Sequence, residues 1–331
     1  MSRRNRLEDV IFGRLPDSVP VIPFVMKYSA KIAGISYRDY CTSSKGMAES
    51  QLKCLERFGY DATNVSSDPH RLAGALGGKI RFPEEGVPVV EEPPIKSRED
   101  LRTTQIPDPK DDPRCRQRLK AIEIIKNRNP QIPVIGWVEG ALSEASSIIG
   151  PINALRAIKK DPEFMEDLYR FCAKFDTEFA LAQVEAGADI IGAGDSLASQ
   201  ISTENFRESV VYSQEIFDDL SVPTLYHVCG DTTHQLEVLA RSGADIIDLD
   251  WQVDLKQARK VLGPETVIRG NINPTKFVRA EPDDIASLSR TAIETAGAEG
   301  SFILSAGCEI PPDSREENLE KMIEIARGYQ Y

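Results

Sequence analysis

The 331-residue chain is poor in several features that mark specialised proteins. Its six cysteines, at 41, 54, 115, 172, 229 and 308, are too sparse and irregular for a disulfide framework, and a cytosolic setting would keep them as thiols. Histidines number three, tryptophans two, and all aromatics together make up 7%. There is no excess of positive charge: 40 Lys+Arg against 52 Asp+Glu leave a net charge of −12, the wrong sign for a surface that lives on nucleic acid or anionic lipid. Long apolar runs are missing too. The charged start, Met1-Ser2-Arg3-Arg4-Asn5-Arg6, leads only into Val10-Ile11-Phe12, which is no signal-peptide core, and no later stretch has the length of a membrane span. We therefore expect a cytoplasmic protein whose partners are small molecules or proteins, with no nucleic acid and no membrane. A content of 41% hydrophobic and 28% charged residues suits a globular chain with a sizeable core.

What the sequence does have is a recurring phrase. Gly187-Ala188-Asp189-Ile190-Ile191 returns as Gly243-Ala244-Asp245-Ile246-Ile247 and again, loosely, as Gly297-Ala298-Glu299-Gly300 before Phe302-Ile303-Leu304. Each phrase ends an amphipathic helical stretch with a glycine where a left-handed cap is expected, then opens a short apolar run of strand type. A further strand-like run lies between successive phrases, so the unit is half the interval, about 27 residues, the length of one strand, one helix and two loops. The same template places strands at 19–24, 62–66, 134–137, 190–193, 224–228, 246–249, 267–270 and 302–305. Eight such units predict an α/β fold, a closed (β/α)8 TIM barrel forming a single domain over residues 1–331. The surplus length falls in an N-terminal helical extension before Pro16 and in an extended, proline-rich insertion at residues 82–114.

Barrel chemistry gathers where strands end, and here those ends are polar. The second strand leads to Asp68, the third to Glu139, the fourth to Asp195, the sixth to Asp250, and the seventh to Arg269 and Asn271. The fifth carries His227 and Cys229, two apart and so on one face, and the eighth leads to Cys308. An imidazole and two thiolates converging on one mouth match a zinc site with three protein ligands and an open position. Free cysteine is also among the most buried residue types, so from the pattern alone zinc and ordinary packing both stand. Cys41, Cys54, Cys115 and Cys172 have no ligand spacing and read as packing; His70, in a loop, has no spaced partner.

The sequence resembles the uroporphyrinogen decarboxylase superfamily, and within it the zinc-dependent corrinoid methyltransferase branch. The resemblance spans nearly the whole chain: Pro16-Asp17-Ser18-Val19-Pro20-Val21-Ile22-Pro23, Met47-Ala48-Glu49-Ser50-Gln51-Leu52, Glu185-Ala186-Gly187-Ala188-Asp189 and Arg269-Gly270-Asn271-Ile272-Asn273-Pro274. Its most specific element is the branch's His-x-Cys…Cys zinc motif, matched at His227, Cys229 and Cys308. The resemblance implies a TIM barrel and Zn2+ on those three residues. It also implies a small-molecule thiol, such as coenzyme M, or a methylated substrate that exchanges a methyl group with a corrinoid. No Asp-x-His-x-x-Gly corrinoid motif surrounds His70, His227 or His234, so the methylcobalamin would arrive on a partner corrinoid protein. Asp250 is expected either as a displaceable fourth zinc ligand or as a carboxylate hydrogen-bonded to a loop amide, and Asp195 and Glu139 as catalytic groups orienting a ligand or the substrate. Asp68, Arg269 and Asn271 are expected to bind substrate. The superfamily's decarboxylases clamp porphyrinogen carboxylates with an arginine-rich Met-Arg-Gln-Ala-Gly-Arg-Tyr stretch, and the corresponding Phe24-Val25-Met26-Lys27-Tyr28-Ser29-Ala30 has no arginine. A decarboxylase of the porphyrin pathway and a demethylase that charges the corrinoid remain the alternatives.

Overall fold

The computed structural model describes residues 1–83 and 86–331. Nine strands occur among them: β1 Thr63–Asn64, β2 Lys79–Arg81, β3 Val89–Glu92, β4 Val134–Glu139, β5 Ile190–Asp195, β6 Thr224–Val228, β7 Ile246–Leu249, β8 Val267–Ile272 and β9 Phe302–Ala306. Seven of them form one parallel sheet in the order β1-β4-β5-β6-β7-β8-β9, with helices between consecutive strands. From β5 to β9 the expected strand positions hold.

The first expected strand is reduced to one bridge, Val21 to Leu304 of β9. The cause is local: Pro20 and Pro23 flank it and have no N–H to give to a ladder. What remains closes the ring. Leu304 N donates to Pro20 O at 2.9 Å, Ile22 N to Leu304 O at 3.1 Å, and Asp61 N, just before β1, to Val21 O at 2.8 Å. The Val21 N–H, which has no backbone acceptor, instead meets the Asp61 side chain: Oδ2 accepts at 2.7 Å. The barrel is thus eight-staved, with one stave too short to count as a strand.

Two other expectations need correction. Gly187 and Gly243 adopt the left-handed conformation, at φ 107° and 79°, but Gly297 does not; in the third phrase that role passes to Gly300 at φ 93°. Gly297 is needed for space, because a Cβ there would lie 2.9 Å from the Phe302 Cβ. The proline-rich insertion is not simply extended: β2 and β3 pair as an antiparallel hairpin, and a helix, Arg98–Thr103, follows before the barrel resumes with helix Pro113–Arg128. Residues 84 and 85 of the expected insertion lie outside the described residues. The N-terminal extension is helical as expected, over Arg3–Ile11. No described helix is long and apolar enough to cross a membrane.

Candidate metal centre

Alternation along β6 sorts its side chains between two environments. Tyr226 turns outward and packs on Phe206 and Phe217 of helix Thr203–Asp218, so His227 turns into the mouth, and Cys229, two residues on, follows it. Cys308 arrives from the far side, in the loop after β9. Its approach depends on Gly307, where a Cβ would lie 2.2 Å from the Trp251 amide nitrogen, so only glycine lets the β9 loop cross the β7 loop there. The result is a triad whose ligand atoms all lie within 4.8 Å of one another, with His227 Nε2 at 3.2 Å from Cys229 Sγ.

The imidazole is oriented from behind by the register of the sheet. His227 sits opposite Asp248 on β7, and Asp248 opposite Arg269 on β8. His227 Nδ1 lies 2.9 Å from Asp248 Oδ2, and the same oxygen accepts from Arg269 Nη1 at 2.5 Å. Arg269 Nε and Nη2 then donate to Ile22 O at 3.1 and 2.9 Å, which anchors the row to the ring-closing segment. Nδ1 is thereby turned to a carboxylate, leaving Nε2 for the sulfurs, the usual arrangement behind a ligating histidine. This corrects the expectation for Arg269: at 1% exposure it is a buried support of the histidine, not a substrate clamp.

The sulfurs polarise each other. The neighbouring Cys229 thiol, with further help from His227, holds the Cys308 thiol below its ordinary value against the cost of burial. Cys229, half-buried beside Cys308, is pushed up. Burial opposes a charge on His227, yet the Cys229 sulfur and the Asp248 carboxylate outweigh it and raise its affinity for a proton. Such a set holds protons where a divalent cation would sit. It also fits zinc by size: bonds of about 2.3 Å to sulfur and 2.0 Å to nitrogen in a tetrahedron put ligand atoms roughly 3.5 Å apart.

A cavity of about 140 Å³ lies in front of the triad. Phe24, Met26 and Trp137 supply its apolar wall, the Phe24 ring standing 5.2 Å from Trp137 and 6.5 Å from His227. Three of the expected carboxylates reach it, Asp68, Glu139 and Asp195. Asp68 is turned back: its Oδ2 accepts from Arg114 at 2.6 Å and lies 3.8 Å from Arg71, and these guanidinium groups overcome burial and hold it well below the usual carboxylate range. Asp195 serves a helix start, with Oδ1 accepting from Ser143 N at 3.0 Å and Oδ2 from Tyr226 Oη at 3.1 Å. Burial pushes its carboxyl up to about 6 even so. Glu139 differs from both. Among the described residues its carboxyl has no hydrogen-bond partner, and burial, with the charge of Glu144, raises its pKa well above the usual range.

Asp250 and Asn271 are not brought to the cavity. Asp250 Oδ1 accepts from Gln252 N at 3.0 Å, and Asn271 Nδ2 donates to the carbonyls of Asp250 and Val253 at 3.0 and 2.7 Å, so both pin the turn after β7. The displaceable ligand expected at Asp250 is therefore absent from the ligand group, which comprises His227, Cys229 and Cys308. Sequence reasoning missed Asp248, Phe24 and Trp137. Asp248 stands near a strand's end in the sequence, but only the pairing of β6 with β7 sets it beside His227.

The family model for uroporphyrinogen decarboxylase (URO-D) matches residues 2–329. The chain is 31% identical to the methylcobamide:CoM methyltransferase MtbA of Methanosarcina mazei, over 86% of each chain. It is 28% identical to the uroporphyrinogen decarboxylase of Trichlorobacter lovleyi, over 97% of each. A solved methyltransferase from Methanosarcina mazei has the same fold, with a TM-score of 0.90 at 24% identity, covering 99% of this chain and 98% of that one. Matched almost from end to end, this chain belongs to the uroporphyrinogen decarboxylase family.

Proposed function

We propose that this chain is a zinc-dependent methyltransferase, one barrel domain over residues 1–331, that moves a methyl group between a corrinoid carried by a partner protein and a small thiol or methylated compound. The observation that carries this reading is the His227–Cys229–Cys308 triad at the barrel mouth, a donor set suited to zinc and open on its cavity side. The name of the Methanosarcina mazei relative, methylcobamide:CoM methyltransferase, supports the same chemistry. Zinc bound there would supply the Lewis acidity that keeps a substrate sulfur in its nucleophilic, deprotonated form.

The chain's own residues do the rest. Asp248, backed by Arg269, holds the imidazole so that Nε2 faces the sulfurs. Phe24 and Trp137 keep water from the face where the methyl group passes. Glu139, unpaired at the cavity wall, is the group free to give or take a proton from a heteroatom of the substrate. Porphyrinogen decarboxylation fits less well. It asks for several cations facing the substrate, whereas no arginine or lysine lines the cavity among the described residues and Arg269 is buried behind the triad.

Two measurements test this reading. Elemental analysis of purified protein is expected to give about one zinc per chain. Loss of the cobalt–carbon absorbance of methylcobalamin with thiol present, dependent on that zinc, would establish the transfer. A metal-replete preparation without zinc would overturn it.

A further inference from the structure

We propose that the organic substrate of this site is uncharged and partly apolar, with its sulfur or methyl end at the triad and its body in a second cavity beneath the insertion hairpin. This deepens the function proposed above and rests on it. The two cavities share Pro69 and Ser196 as common wall, so the second lies directly beside the mouth. The second is the larger, at about 310 Å³. Val89 and Val90 of β3 line it together with Leu197 and Pro151.

The polar groups of this second cavity are neutral. Ser146 and Ser147 belong to helix Ala141–Ile149, and Ser147 Oγ lies 2.8 Å from Nδ1 of His70. Burial lowers the proton affinity of that imidazole, so it offers a donor and an acceptor without charge. Among the described residues, no Lys, Arg, Asp or Glu lines the second cavity, and no Lys or Arg lines the first. The cations close by are engaged elsewhere, Arg114 and Arg71 by Asp68. Arg269 is bound to Asp248 and Ile22, and the ammonium of Lys27 lies 3.9 Å from Glu309 and 5.6 Å from the centre of the Tyr37 ring. An anionic thiol such as a thiol sulfonate would have to lose its water beside Glu139 and Asp195 with no cation lining the wall. An uncharged molecule escapes that cost and gains from burial between β3 and Leu197.

The test is calorimetric, on the zinc-loaded full chain, with benzyl mercaptan and 2-mercaptoethanesulfonate as probes. Benzyl mercaptan is expected to bind at least about tenfold more tightly, and the ratio of the two dissociation constants to collapse toward one in Val90→Trp, which fills the second cavity. Val89→Asp, at a half-exposed position, is the second variant, and a melting curve confirms that each is folded. A wild-type preference for the sulfonate, or a ratio untouched in both folded variants, overturns the inference while leaving the proposed methyl transfer intact. Should neither thiol show zinc-dependent binding, the metal–thiol reading fails instead. Benzyl alcohol on zinc-free protein then decides the cavity alone: binding that disappears in Val90→Trp supports it, and no binding overturns it.

Discussion

The two ends of this barrel solve opposite problems. At the closed end, Asp61 is fully buried, yet its carboxylate is saturated: Oδ1 accepts from Arg6 at 2.7 Å, and Oδ2 accepts from Val21 N at 2.7 Å and from Arg327 at 2.8 Å. One side chain thereby joins the N-terminal helix, the ring-closing segment and the C-terminal helix Glu316–Gly328. At the mouth, the Cys229 and Cys308 thiols crowd together beside His227, and the Glu139 carboxyl has no hydrogen-bond partner among the described residues. Both ends bury charge, but Asp61 finds its partners within the chain and Glu139, among the described residues, does not. A buried polar group left wanting is costly, so the mouth's deficit marks it as the place where something from outside completes the structure.

That contrast predicts a clean separation of effects. The largest is expected at the closed end: Asp61→Ala leaves the Val21 amide without an acceptor and takes one partner each from Arg6 and Arg327, and should lower stability by about 3 kcal/mol, with the zinc content of the folded fraction unchanged. Chemical denaturation beside elemental analysis reads both, and zinc lost in step with stability would erase the division between the ends. Next, Cys308→Ser should weaken zinc binding by at least about 100-fold, seen in competition with a chelator, while the melting temperature of the metal-free protein stays put. A variant that unfolds without metal would make the triad part of the scaffold.

Asp248→Asn probes the support behind the triad. It should reduce zinc affinity by about 10–100-fold, less than loss of a ligand, because the imidazole stays but its orientation is no longer enforced. The smallest effect concerns Asp195. Its carboxyl titrates near 6 in the fold, above the ordinary value, so folding favours the neutral form. Its contribution to stability is present at low pH and lost as pH rises through about 6. Asp195→Asn should therefore gain on the wild type by about one or two degrees in melting temperature as pH rises from about 4 to 6, with little further change above that. A difference that is flat with pH would place the carboxylate in a more polar setting than the helix start it occupies.

Much of the candidate metal centre was legible in the linear sequence. The i, i+2 spacing of His227 and Cys229 is a statement about one face of one strand, and the repeated Gly-Ala-Asp phrase counts out the strands that carry Cys308 round the ring to meet them. The errors lay where roles depend on neighbours across strands. Arg269 and Asp250 both read as mouth residues because each lies at a strand's end. Yet Arg269 is drawn under the triad by Asp248, and Asp250 is claimed by its own turn. The insertion was misjudged for a related reason: prolines at 83, 88, 93 and 94 exclude a helix locally but do not forbid Lys79–Arg81 and Val89–Glu92 from pairing with each other.

The amino-acid sequence by itself thus determined the number and order of the βα units, the two-residue spacing that aims an imidazole and a thiol at one spot, and the prolines that cut one stave to a single bridge. These depend on local periodicity and on backbone donors, which each short segment carries within itself. Only the tertiary structure decided which buried charges are answered from within and which are left open. It alone set Asp248 between His227 and Arg269, turned Asp68 back to Arg114, and roofed a second cavity with Val89 and Val90. Those outcomes hang on distances between residues far apart in the chain, which closure of the ring sets.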